Sequence, residues 1–174
     1  MGNGKLIEAV ADSGPLIHLA EINCLPLLNI FNKLHIPHAV WLETVERNRI
    51  CRNDLSSVTN IQRCLLQKSE VANFIVESKL TELHAGEKEC LFLCRQRGIV
   101  NLLTDDLAVR DAAKGMNLVP VGSLGIIVKA YKQEKLAILD AERYISALYD
   151  VSSLFVTRTI VDLAIEQLRT IAKK

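Results

Sequence analysis

The chain is poor in aromatic residues: Phe, Trp and Tyr make up 5% of its 174 residues, while Leu, Ile, Val and Ala are plentiful. That favours a core of aliphatic strands and helices over a sheet built for aromatic stacking. No charge of one sign dominates, with 21 basic residues against 20 acidic ones and a formal net charge of +1. A protein that coats nucleic acid by electrostatics alone would be far more basic, so any such contact must come from a local patch. No apolar run approaches the roughly 20 residues needed to cross a bilayer, and the first apolar stretch is broken by Glu8. A secretory leader is therefore not expected, and Leu6 stands where an N-myristoylation start after Gly2 needs a hydroxyl. Repeats, low-complexity segments and linkers rich in Gly, Pro or Ser are also missing. A cytoplasmic protein with no membrane partner is expected.

What is present fits one domain with some C-terminal elaboration. A chain of this length buries roughly 70% of the surface its unfolded form exposes, so it needs neither metal nor disulfide to fold. Hydrophobic residues at 49% and charged residues at 24% exclude a disordered chain. Cys24, Cys51, Cys64, Cys90 and Cys94 are odd in number and scattered, which is no disulfide framework. Cys90 and Cys94 lie one helical turn apart after His84, but no second ligand pair has structural-zinc spacing. With Leu91 and Leu93 around them they read as small hydrophobes.

Short apolar runs alternate with amphipathic stretches. Strands are expected at 6–11, 34–36, 71–77, 99–104 and 118–121. Helical periodicity runs through 16–31 with a break at Pro26, then 39–49, 54–68, 87–97 closed by Gly98, 105–114 closed by Gly115, 124–133, 140–148 and 153–172. In the last of these, Ile160, Ala164, Leu168 and Ile171 form an apolar stripe. Continuously apolar strands alternating with helices predict an α/β fold whose central parallel sheet is covered by helices on both faces. In such sheets, sites lie beyond the carboxyl ends of the strands.

Two strand ends carry acids there: Asp12 after the first strand, and Asp105 and Asp106 after Leu102-Leu103-Thr104. Parallel neighbours would bring them together with no adjacent Lys or Arg, a repulsion that a hard divalent cation relieves. Each acid also suits a helix N-cap, but one acid suffices for a cap and here there are two. Glu87 opens a helix, where an acid in the first turn is ordinary. Glu43 sits in the mostly apolar Val40-Trp41-Leu42-Glu43-Thr44-Val45.

Ala11-Asp12-Ser13-Gly14-Pro15-Leu16-Ile17, Ile36-Pro37-His38-Ala39-Val40-Trp41-Leu42-Glu43, Leu83-His84-Ala85-Gly86-Glu87-Lys88-Glu89 and Leu103-Thr104-Asp105-Asp106-Leu107-Ala108-Val109-Arg110, in this order, resemble a PIN domain. Their spacing, with Val121-Gly122-Ser123-Leu124-Gly125 after the last strand, is similar to the VapC-like branch over roughly residues 6–150. The resemblance divides the chain into a nuclease domain at 1–150 and a C-terminal helix at 151–174, packed on that domain or at a dimer interface. It implies a ribonuclease with acids around Mg2+ or Mn2+. Asp12, Glu43, Glu87, Asp105 and Asp106 form the implied catalytic set, and Asp12, Asp106 and Glu87 the implied metal ligands. Ser13 and Arg110 support them. Glu87 stands where many relatives have Asp.

Under that reading a metal-activated water attacks the RNA phosphodiester in line. RNA contact falls to Arg47, Arg49 and Arg52, whose other reading is a solvated face. A small antitoxin and a second copy of the chain are the expected protein partners. His18, His35, His38 and His84 read as structural or surface residues. The rival reading is a PIN-like module that binds or scaffolds without cleaving. A Rossmann-like site lacks its G-x-G-x-x-G. The phosphatase reading lacks a second aspartate after Asp12, and a receiver domain's order of residues does not fit.

Overall fold

Ala9, Val10 and Ala11 are fully buried, which is what a strand covered on both faces requires. They belong to β1 (Glu8–Ala11), the middle strand of a five-stranded sheet in a computed structural model that describes residues 6–173. The other strands are β2 (Lys33–Pro37), β3 (Ile61–Cys64), β4 (Asn101–Leu103) and β5 (Val119–Val121). All neighbours pair in parallel, in the order β3-β2-β1-β4-β5.

The helices are α1 (Ser13–Glu21), α2 (His38–Trp41), α3 (Arg52–Leu55), α4 (Lys68–Ser78), α5 (Ala85–Arg97), α6 (Leu107–Gly115), α7 (Ser123–Lys132), α8 (Ile138–Asp150) and α9 (Arg158–Ala172). A 3-10 segment at Leu25–Ile30 follows α1, and a π turn at Leu42–Glu46 continues α2. α5 lies against β1, β2 and β4, while α7 packs on α1 and the 3-10 segment. Right-handed crossovers put these two groups on opposite faces, so the fold is the single α/β domain expected. Pro26 sits at the start of the 3-10 segment, where its missing N–H leaves no bond unmade. His35, buried in β2, bonds Glu8 of β1 at 2.7 Å, a structural role.

Two expectations fail in the middle of the chain. The helix expected at 54–68 is replaced by short α3 and then β3, because Ile61–Cys64 finds β2 as a partner, in the register Leu34↔Ile61 to Pro37↔Cys64. Lying at the sheet edge, β3 exposes Gln62 and Arg63 and lacks the apolar run of an interior strand. The strand expected at 71–77 is α4. Val71 and Phe74 are buried three residues apart with Ile75 beside them, a helical spacing masked by β-branched residues.

α9 begins at Arg158, after the Thr157 cap, rather than at Ser153. It packs on α8 and α7 and buries Val161 and Leu168, whereas Ile160, expected on the buried stripe, is 48% exposed. Among the described residues no helix is long and apolar enough to cross a membrane.

Gly98 ends α5 in the left-handed region at φ 65°, with open space around it. Adding a Cβ there meets no atom, so the cost is purely that of the backbone conformation. Gly98→Ala should lower unfolding free energy by about 1 kcal/mol and Gly98→Asn by less. Urea denaturation of the variants checks this, and an unchanged Gly98→Ala midpoint would refute it.

Candidate active site

The strand order reverses between β1 and β4, the point in such a sheet where the carboxyl ends leave a crevice. Asp12 follows β1 directly, and its N–H donates to Leu103 O of β4 at 2.9 Å, clamping the two strand ends. Its carboxylate is buried and fully oriented. Ser13 N–H donates to Oδ1 at 2.7 Å and the buried Thr104 hydroxyl donates to Oδ2 at 3.0 Å. The same hydroxyl accepts from Asp106 N–H at 3.3 Å, so Thr104 joins the two aspartates expected to share an ion. Asp106 is exposed, and its Oδ1 accepts from Val109 N–H at 2.9 Å as the N-cap of α6.

Glu43 projects from the π turn, a distortion that re-aims side chains and is frequent at functional sites. Thr44, next along, is buried and bonds back to Val40 O at 2.8 Å. The Glu43 carboxylate occupies the space beside Gly86: a Cβ built there would stand 3.0 Å from Oε2 and 3.2 Å from Val40 Cγ2. Glu87 is engaged by its own helix end. Its Oε2 accepts from His84 N–H at 2.7 Å, and Oε1 lies 3.3 Å from His84 Nδ1, a capping arrangement at the start of α5.

Asp105, adjacent to Asp106, turns to another task. Ser123 N–H and hydroxyl donate to it at 2.7 and 2.6 Å, and His18 Nδ1 at 2.8 Å. It therefore brackets the end of β4 to α7 and α1. Arg110 donates from Nη1 to Thr104 O at 3.2 Å, fixing the strand end that carries the bridging hydroxyl. Ser13 contributes its N–H to Asp12. Arg47 and Arg49 are exposed between the π turn and α3, and Arg52, exposed at the start of α3, pairs with Glu46 at 2.9 Å.

Nothing in the sequence marks Thr104, Glu89, Ser123 or His18 as a clamp. Thr104 and Ser123 stand inside the segments that carried the resemblance. Glu89, which accepts from Ala39 N–H at 2.9 Å and ties α5 to α2, also ends one of those segments, with no pattern marking it as a tie.

Burial pushes the Asp12 carboxyl up from 3.8 to about 6, and the Glu87 and Glu43 carboxylates add to the rise against the Ser13 and Thr104 hydrogen bonds. Among the described residues no three Asp, Glu, His or Cys side chains form a ready-made metal cage. The donor set nonetheless suits a hard divalent cation. It is made of carboxylate oxygens, Asp12 has no cationic partner among the described residues, and Glu43 fills a space that any residue but glycine at 86 would contest.

These features define an α/β protein with carboxylates at its topological switch point. The family model described as a PIN domain matches residues 8–170, and the chain belongs to the PIN-domain family. PIN domains are in general nucleases. No match was found among curated proteins or among solved structures.

The raised Asp12 carboxyl has a thermodynamic consequence. Between pH 3.8 and about 6 the folded chain holds a proton on Asp12 that the unfolded chain releases, so this residue's contribution to stability falls as pH rises through that window. Above it the charged form costs about 3 kcal/mol as an order of magnitude. In EDTA at pH 8, Asp12→Asn should be more stable than the parent by roughly 1–3 kcal/mol, the difference shrinking to nothing near pH 4. Urea denaturation across pH measures it, and a less stable variant at pH 8 would sink the account.

Proposed function

We propose that the protein is a metal-dependent endoribonuclease that hydrolyses RNA phosphodiester bonds with Mg2+ or Mn2+, and the VapC-like toxin of a type II toxin–antitoxin pair. The observation that carries the nuclease reading is the buried Asp12 carboxylate, joined to Asp106 through one threonine hydroxyl and raised in pKa by its burial, with Glu87 and Glu43 adding to the rise. The toxin assignment rests on the resemblance of the four acid-bearing segments. It brings with it a cytoplasmic setting, a small antitoxin, a homodimer, and a division into a nuclease domain at 1–150 with a C-terminal helix at 151–174.

Asp12 and Asp106 would hold the ion, with Glu43 and Glu87 completing the negative shell. When bound, the ion supplies Lewis acidity, polarising water and offsetting charge on the scissile phosphate. The protein's own part is orientation. Ser13 N–H and Thr104 fix both oxygens of Asp12, the α6 cap fixes Asp106, and Arg110 holds the Thr104 carbonyl. Asp105 acts through Ser123 and His18 by keeping β4, α7 and α1 in place.

A second reading, a PIN-like module that binds or scaffolds without cleaving, is favoured by one observation: both Glu87 oxygens are engaged by His84.

Calorimetric Mn2+ titration followed by RNA cleavage, on the parent and on Asp12→Ala with Asp106→Ala, separates the two readings. The nuclease reading expects binding and cleavage that both vanish in the double variant. A parent that neither binds Mn2+ nor cleaves RNA leaves the scaffold reading. Thr104→Val should weaken Mn2+ binding by about 10–100-fold, the usual cost of losing a group that orients a ligand, while leaving the folded far-UV spectrum unchanged. Unchanged affinity would remove Thr104 from the site.

A further inference from the structure

Away from the carboxyl edge, three ionisable side chains line up across β1, β2 and β3. Cys64 Sγ lies 3.7 Å from His35 Nδ1, and His35 Nε2 lies 2.7 Å from Glu8 Oε2. A carboxylate only accepts, so Nε2 carries a hydrogen and the neutral ring turns the lone pair of Nδ1 towards the thiol. The bond that ties β2 to β1 thus also fixes the tautomer able to take the Cys64 proton. A thiol, a base within reach of it and a carboxylate that orients the base are the parts of an activated nucleophile. The chain of contacts ends in water: Glu8 and Arg97 line a cleft of about 470 Å3 at the amino edge of the sheet, where the Glu8 side chain is 29% exposed.

None of the other cysteines has this setting among the described residues. Cys24, Cys90 and Cys94 are buried without an imidazole partner, and burial pushes the Cys24 and Cys94 thiols up to about 12. Burial raises the Cys64 thiol as well, against the lowering effect of Arg97, so the resting sulfur keeps its proton and needs a base to lose it. In that state the thiol has a second acceptor in Gln62 O at 3.5 Å. Cys64 is the last residue of the edge strand, itself 4% exposed and followed by the exposed Leu65. A sulfur this close beneath the surface admits a reagent about the size of water and excludes a larger substrate.

From this geometry we propose that Cys64 is a modification site, oxidised to a sulfenic acid by hydrogen peroxide, with His35 as the base and Glu8 as the residue that positions it. Sγ attacks one peroxide oxygen, so that an S–O bond forms while the O–O bond breaks. The thiol proton passes to His35 Nδ1 and on to the departing hydroxide, which leaves as water. Sulfur loses the two electrons that the peroxide gains, so the step needs no further reactant. It involves neither a metal nor the acids of the carboxyl edge.

The test treats the full chain with hydrogen peroxide in the presence of dimedone, which traps sulfenic acids. Peptide mass spectrometry follows the adduct at each cysteine in the parent, Glu8→Gln and His35→Gln. The exposed Cys51 reports the rate of an unassisted thiol in the same sample. Hydrogen exchange of the β3 amides reports opening of the sheet edge. Cys64 should gain the adduct ahead of Cys51 in spite of its burial. His35→Gln should slow the Cys64 reaction about 100-fold, the lower end of what a positioned base contributes. Glu8→Gln, which keeps an acceptor for Nε2 and spares the fold, should slow it about 10-fold, the low end for a carboxylate that orients a histidine. Cys51 oxidation should match the parent in both variants, and β3 exchange should match it in Glu8→Gln. An adduct on Cys51 with none on Cys64 overturns the assignment. A Cys64 rate equal in the parent and Glu8→Gln, or one that changes only in step with β3 exchange, overturns it too, because either marks a thiol bared by opening of the edge.

Discussion

The hydroxyl of Thr104 is the interaction on which the arrangement of the site depends. It donates to Asp12 at 3.0 Å and accepts from Asp106 N–H at 3.3 Å, so two acids from opposite halves of the chain are referred to one atom. The reference is rigid because Thr104 is fully buried at the end of β4, and the adjacent Leu103 carbonyl takes the Asp12 N–H at 2.9 Å. A threonine supplies what the position needs: one donor and one acceptor on a small, fully buried side chain. The register of β1 with β4 then sets the site as a whole, since a one-residue slip would point Thr104 to the other face.

Asp105 and Asp106 show how adjacent residues of one type divide into different tasks. Leaving β4, the chain turns, and successive side chains diverge. Asp106 caps α6 on the Asp12 side, while Asp105 reaches the first turn of α7 and His18 of α1. The doubled acid is thus explained by two helix starts that need an acceptor from the same loop. With Glu89 on the Ala39 N–H, the carboxyl edge is laced by carboxylates that belong to the frame as much as to any ion.

The sheet and most helices around the site were legible in the sequence because their signals are local. The apolar run ending at Asp12, the turn at Gly98 and the periodicity of α5 and α7 need no distant partner to be recognised. What escaped notice depended on contacts made elsewhere. β3 is a strand because β2 offers it a ladder, and α4 is a helix because Val71 and Phe74 face the core. In the site, the places of Asp12 and Asp106 follow from the ends of their strands, whereas Glu43 enters only through the family resemblance. The bracket around Asp105 joins residues 87 and 18 positions apart, a distance no local pattern can bridge. The hold of His84 on Glu87 is local, and it was foreseen only as an acid in a first turn.

Capping and ion holding, two separate readings of the same acids in the sequence, do not exclude each other. Asp12 accepts from the first N–H of α1, Asp106 from Val109 at the start of α6, and Glu87 from His84 at the start of α5. The Glu43 carboxylate lies against Gly86 in that same first turn of α5. Helix N-termini carry partial positive charge, so the edge meets its negative charge with peptide dipoles in place of Lys or Arg. That choice has a chemical consequence. A salt bridge would neutralise a carboxylate with a full charge that an ion must displace, whereas a capping N–H orients one oxygen and leaves it anionic. Asp12 shows the limit of the device. Two hydrogen bonds do not offset its burial and the neighbouring Glu87 and Glu43, and its carboxyl still rises to about 6. The deficit that the peptide dipoles leave is positive charge at an all-oxygen site, which is the charge that the proposed divalent cation would supply.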